Sequence, residues 1–185
     1  MSPALGLRGS ALLGLTSGAI AGDLRFITSA TGSAAASISV NNCFSATYDH
    51  YLVMRSLLGS VADQNITTRL RVGGADASGA DYREQRLYAA GATTAGSRNT
   101  GYTYWSWAAG YTQATVFGFA QLWVSNPFSA VRTTALTKHG YDEDGSIMLQ
   151  AVTMEHDLTT SYDGFTIIPA SGTVTGSLYV YGLAV

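Results

Sequence analysis

Lysine occurs once in this chain, at Lys138, and cysteine once, at Cys43. Acidic and basic residues together make up only 12% of the 185 residues, about half the ~25% of an ordinary soluble domain. Each scarcity excludes something. A single cysteine forms no internal disulfide, and a buried thiol is the plain reading of Cys43. There is no CxxC motif, and His50, His139 and His156 lie far apart in sequence, so no ligand set with zinc spacing is present. The net charge is −2 and the arginines are scattered. No basic field attracts phosphates, so nucleic acid is not expected as a partner. No apolar run reaches the ~20 residues of a membrane span. The most apolar stretch is broken by Arg8, Gly9, Gly14, Gly18 and Gly22, and membrane insertion is not expected.

What replaces the charge is Gly, Ser, Thr, Ala, Asn and Tyr, with 21 glycines and 11 tyrosines. The hydrophobic fraction is 46%, enough for a core that buries roughly two-thirds of the unfolded surface of a chain this long. A surface poor in Lys and Glu loses little side-chain entropy on contact. It favours packing against copies of itself, other proteins or sugars.

Catalytic patterns are weak throughout. Asp142-Glu143-Asp144-Gly145 is the densest acidic run, but it matches only the first two ligand positions of a calcium loop and reads as a solvated turn. Glu155-His156-Asp157 gathers three titratable groups, yet neighbours on a strand point to opposite faces. No GxSxG elbow occurs, and no lysine follows Gly73-Gly74 to make a phosphate loop. We assign no catalytic residue, no metal and no cofactor, and expect a protein that is not an enzyme.

The chain divides into an arm, residues 1–22, and one domain, residues 23–185. In the arm, Leu5, Leu7, Leu12, Leu13, Leu15 and Ile20 are spaced by Gly and Ser. The segment imitates a secretory signal, but the glycines dilute its apolar run. It reads better as a docking arm that orders against a neighbour. Beyond it, strand follows turn. Ser37–Val40, His50–Leu58, Ile66–Val72, Ile147–Thr153, Phe165–Ile168 and Val174–Val185 carry strand patterns, several with period two. Thr115–Val124 is apolar on both faces, so Phe117, Phe119 and Trp123 are expected at a subunit interface. A helix over 80–90 is the competing reading for that stretch. Short strands punctuated by turns predict an all-β, β-sandwich or jelly-roll-like single domain. The cluster Tyr102, Tyr104, Trp105, Trp107 and Tyr111, flanked by Asn99, Gly101 and Gly110, predicts either a loop that stacks on host surface glycan or plain core.

One family resemblance runs from about Ser37 to Gly182. The segment from Tyr162 through Gly182, which includes Gly164-Phe165-Thr166-Ile167-Ile168-Pro169-Ala170-Ser171-Gly172-Thr173, resembles the ending of many small tailed-phage virion proteins, roughly "GFTLIPASGTITGTISVYGY". Asn41-Asn42-Cys43-Phe44-Ser45-Ala46-Thr47-Tyr48-Asp49-His50-Tyr51 is similar to their "NNVFSSTYDNYRI", and Arg69-Leu70-Arg71-Val72-Gly73-Gly74 to their "FRLRVGG". Asn126-Pro127-Phe128 recurs there too. The resemblance implies a structural protein made in the bacterial host cytoplasm and carried on the virion. Its implied job is that of a tail-fibre or receptor-binding module, with capsid decoration (cement) as the alternative. A homotrimer and contacts with other virion proteins of the tail or capsid follow by the same analogy. A secreted carbohydrate-binding lectin is the third reading.

Overall fold

A computed structural model describes residues 22–143 and 146–184. The docking-arm positions Leu5, Leu7, Leu12, Leu13, Leu15 and Ile20, together with Asp144 and Gly145 of the acidic turn, lie outside the described residues. The fold is all-β, with no helix among the described residues. Its strands are β1 (Leu24–Ala35), β2 (Ile38–Val40), β3 (His50–Gly59), β4 (Ile66–Val72), β5 (Ala75–Asp76), β6 (Tyr82–Ala90), β7 (Thr93–Tyr102), β8 (Gly118–Ser125), β9 (Thr133–Glu143), β10 (Ser146–His156), β11 (Gly164–Pro169) and β12 (Val174–Leu183). They form an eight-stranded sheet in the order β1-β12-β3-β8-β9-β10-β6-β7 and a four-stranded sheet in the order β2-β11-β4-β5. All pairings are antiparallel.

The sandwich follows from alternation. In β3, Tyr51, Val53 and Leu57 point inward and are buried. In β8 the inward set is Ala120, Leu122 and Val124, and in β12 it is Val174, Leu178 and Val180. The small sheet answers with Ile38, Val40, Ile66, Leu70, Phe165 and Ile167, all in the same core. The Thr115–Val124 strand begins only at Gly118, so Val116 and Phe117 precede it as exposed residues. The 80–90 stretch is strand β6, not a helix. There, pairing on both sides with β10 and β7 overrides the helical spacing of Tyr82, Gln85, Arg86 and Ala89.

Four strands at ~4.8 Å spacing span about half the width of eight, so the small sheet cannot cover the large one. The segment 103–113 completes the cover. Its backbone runs beside β4, with Trp105 N–H donating to Thr68 O, Thr68 N–H to Trp105 O and Ile66 N–H to Gly110 O. Its side chains Trp105, Trp107, Ala108, Ala109 and Tyr111 fill the space over the remaining strands and are buried.

Candidate functional site

The described surface offers two features that can make contacts, and the interior holds several buried polar groups. The first surface feature is the outer face of the eight-stranded sheet. Register places Phe26, Tyr181, Leu52, Trp123 and Leu136 in one row across five strands. The next row holds Tyr179, Met54, Gln121, Lys138, Ala151 and Leu87. Phe119, Leu149 and Ile147 continue the face along the strands. Exposure is high for large apolar side chains: Ile147 83%, Leu87 63%, Leu149 61%, Phe26 59% and Phe119 51%. Neighbouring exposed apolar side chains of this kind mark a contact surface. Phe119 and Trp123, expected from sequence at a subunit interface, lie on this face, and Phe117 is exposed just before β8.

The second feature is a groove of about 390 Å3 at the β7 end of the same face. Its floor includes two rows, Thr100–Arg83–Glu155–Thr134 and Arg98–Gln85–Thr153. A bulge at Gly101 (φ +69°) shifts the register between Tyr82 and Arg83. Such a bulge bends and twists the edge strand. Arg83 bridges Glu155 at 3.0 Å and Asp157 at 2.6 Å, and Arg132 reaches Glu155 at 2.8 Å. The hydrogen bond from Arg132, aided by Arg83, holds the Glu155 carboxyl below its usual range. Hydroxyl, amide, guanidinium and carboxylate groups thus stand together over one concave patch.

The aromatic segment behaves differently from a surface loop. Trp105 is fully buried, Trp107 and Tyr111 nearly so, and of the five rings only Tyr102 (40%) is exposed, with Tyr104 half-buried. Trp105 donates from Nε1 to Glu155 O at 3.1 Å and meets Tyr82 edge-on at 5.4 Å. Tyr111 stacks on Tyr141 at 4.0 Å, and the Arg86 guanidinium lies 4.1 Å from the Trp107 ring. The glycan-stacking role expected of Trp105, Trp107 and Tyr111 is corrected by this burial: their ring faces are spent on the core. The sequence signal that could have shown it is Ala108-Ala109, two small residues that belong against a packed neighbour.

A buried carboxylate organises this segment. Glu84 accepts from Ser106 N at 2.9 Å and Trp107 N at 3.2 Å, and from Asn99 Nδ2 at 2.8 Å. Glu84→Ala leaves the two buried backbone N–H groups without an acceptor, at about 1–3 kcal/mol each. We expect a loss of about 2–4 kcal/mol in urea unfolding, with Glu84→Gln recovering part of it because one acceptor oxygen remains.

Around the Tyr111 end lies the interior polar cluster. Arg55 is buried and donates to Gly118 O at 3.2 Å and Tyr111 O at 3.0 Å. Burial lowers its pKa to about 9. His139 and Gln150, paired across β9 and β10, are buried beside it. Burial, then Arg55 and Arg86, pull His139 down to about 4. Elsewhere His156 receives or gives a hydrogen bond with Tyr162 at 3.1 Å, and His50 with Ser125 at 3.0 Å. Glu155 and His156 face opposite sides of β10, as alternation requires. Cys43 is buried, and burial pushes its thiol up to about 12.

No protein-family model, curated protein or solved structure matches this chain.

Proposed function

We propose that this chain is a structural subunit of a tailed-phage virion, of the tail-fibre or receptor-binding type, that works by binding its neighbours and not by catalysis. The observation that carries the reading is the outer face of the eight-stranded sheet, whose large apolar side chains stand in water in the isolated chain. A sheet face that exposes several neighbouring large apolar side chains is suited to being covered. The tailed-phage part rests on the resembling segments. They form β4, β11, β12 and the run into β3, the strands around which the two sheets are built. Its partners are copies of itself and other virion proteins. Contact with host surface glycan is supported by the polar groove around Arg98, Gln85 and Thr153, since mixed donors and acceptors on a concave patch suit a hydroxylated ligand.

Immunogold labelling of purified virions, with copy number from quantitative mass spectrometry, tests the reading. A few copies at the tail tip are expected. Dense labelling of the head makes the chain a decoration protein instead. Absence from virions overturns the phage reading and leaves the secreted lectin.

A further inference from the structure

The groove at the β7 end of the outer face has most of its charge already matched. Glu155 is held by Arg83 and Arg132, and Asp157 beside it by Arg83. Glu84 faces the other side of β6, where it accepts from Ser106 N, Trp107 N and Asn99 Nδ2. Each carboxylate of the lining therefore has its own cationic or N–H donors.

Arg98 is the exception. It is exposed and has no ion-pair or hydrogen-bond partner among the described residues. Its neighbours across the sheet are neutral, Gln85 and then Thr153. Glu155 sits two strands across and one row along, a backbone separation of about 12 Å at sheet spacings. That exceeds the ~8 Å over which exposed charges act at physiological salt. The unmatched charge of the groove is thus positive. Arg83 adds a donor in the same sense, since its Nε is enclosed without a hydrogen-bond acceptor.

The rest of the outer lining is hydroxyl and amide. The hydroxyls of Thr100, Thr134 and Thr153 bond to no described residue. Gln85 gives Nε2 to Arg86 O and Ser97 O, which leaves Oε1 as an acceptor. A threonine hydroxyl both donates and accepts, as does each hydroxyl of a sugar. The volume of about 390 Å3 falls in the lower part of the ~300–1,000 Å3 range of small-ligand sites.

We propose that this groove binds an acidic saccharide, with the sugar carboxylate on the Arg98 guanidinium and ring hydroxyls on Thr100, Thr153 and Gln85 Oε1. The inference rests on the glycan-contact reading above and names its chemical class. A planar guanidinium meets a carboxylate through two parallel N–H···O bonds. An acidic peptide would meet the same cation, but it gains most from apolar anchors. The apolar side chain of the lining, Met154, is buried on the inner side of β10. The groove lies on β6, β7, β9 and β10, whereas Phe26, Tyr181 and Trp123 stand on β1, β12 and β8 at the other end of the sheet. A sugar in the groove leaves that end free for a neighbouring protein.

The test is an array carrying uronic-acid, ulosonic-acid, sugar-phosphate and neutral saccharides, probed with the full chain. The strongest member is then titrated by calorimetry beside its carboxyl methyl ester. A carboxylated sugar is expected to lead, with its ester about 10-fold weaker or more and with affinity falling as NaCl rises. Arg98→Gln should raise Kd by about 10-fold or more. Its Tm should match the parent's, because Arg98 is exposed and bonded to nothing in the fold. Arg98→Lys keeps the charge without the fork and should fall between the two. An array with no bound member, a neutral or phosphorylated sugar in the lead, an ester that binds as well as the acid, or an Arg98→Gln protein with the parent's Kd overturns the proposal. So does a glutamate-rich peptide that binds as tightly as the acidic sugar, which would mean that charge alone is read. The failures are separable. A neutral sugar whose binding is lost in Gln85→Ala removes the acidic class and leaves the glycan contact standing. Unlabelled virions remove the virion reading and leave the sugar result untouched.

Discussion

Trp105→Ala is expected to cost about 3–5 kcal/mol of unfolding free energy, the range for an aromatic deleted from a packed core. For a domain of this length that is roughly 10 °C in Tm. The ring has no solvent exposure, sits edge-on to Tyr82 at 5.4 Å and donates to Glu155 O. The backbone pair it makes with Thr68 survives the substitution, so the loss is that of the side chain: a cavity plus an orphaned carbonyl. Trp105→Phe keeps most of the volume and removes the donor, and should cost about 1–2 kcal/mol. Urea titration of both variants against the parent gives the comparison. A Trp105→Ala protein that unfolds like the parent but fails to adsorb to cells would return the ring to the surface as a ligand contact. Any loss of adsorption that merely tracks the fraction unfolded has no bearing on a receptor site.

That outcome also shows where the sequence was readable. Ile66–Val72 and Val174–Leu183 alternate apolar and polar, and both are strands with the apolar set inward. The strand around Phe119 and Trp123 reads as apolar on both faces because one face is core and the other is the exposed sheet surface. β9 carries no such signal. Its inward residues are Thr133, Ala135, Thr137, His139 and Tyr141, mostly small or polar, and its apolar Leu136 points out, so a search for inward hydrophobics passes over it. β6 is obscured in the same way by Glu84 and Arg86 inside and Leu87 outside. β1 is rich in Ser, Ala and Gly and gives little hydrophobic contrast at all. The aromatic segment, open in the sequence between a glycan-stacking loop and core, was undecided for a different reason. Gly101 and Gly110, both at positive φ, look like the hinges of a surface loop. Gly110 is glycine because a Cβ would stand 2.6 Å from Arg55 Nη2 and 3.1 Å from the His139 ring. Local composition cannot tell a glycine that frees a loop from one that lets it approach the core. Long-range pairing with β4 decides the matter, and that information is spread over some forty residues of separation.

Mild acid should destabilise this protein through His139. Its pKa is about 4 in the folded chain against about 6.5 unfolded, because the ring is buried beside the Arg55 and Arg86 guanidiniums. A folded-state value below the unfolded one means that the unfolded chain takes up the proton first as pH falls. Stability is unaffected by this group above about pH 6.5 and declines between there and about pH 4. The span corresponds to about 3 kcal/mol, and below it both states are protonated and the curve flattens. His156, lowered by burial in its own site, adds to the same slope. Glu155 works in the same direction but outside this window. Arg132 and Arg83 lower its pKa, so its contribution fades only as pH drops below the ordinary carboxylate range, and it is too accessible to weigh heavily. The interval from pH 6.5 to 4.5 therefore isolates the histidines. Neither ring nitrogen of His139 has a hydrogen-bond partner among the described residues. His139→Gln should thus cost little at pH 7 and remove most of the acid slope in urea midpoints, leaving the part due to His156. A His139→Gln protein with the parent's full slope would place the proton uptake elsewhere. The charge pattern would then have to be reconsidered at Arg55, whose guanidinium, held by two carbonyls, adds to the burial that makes a positive charge at His139 costly.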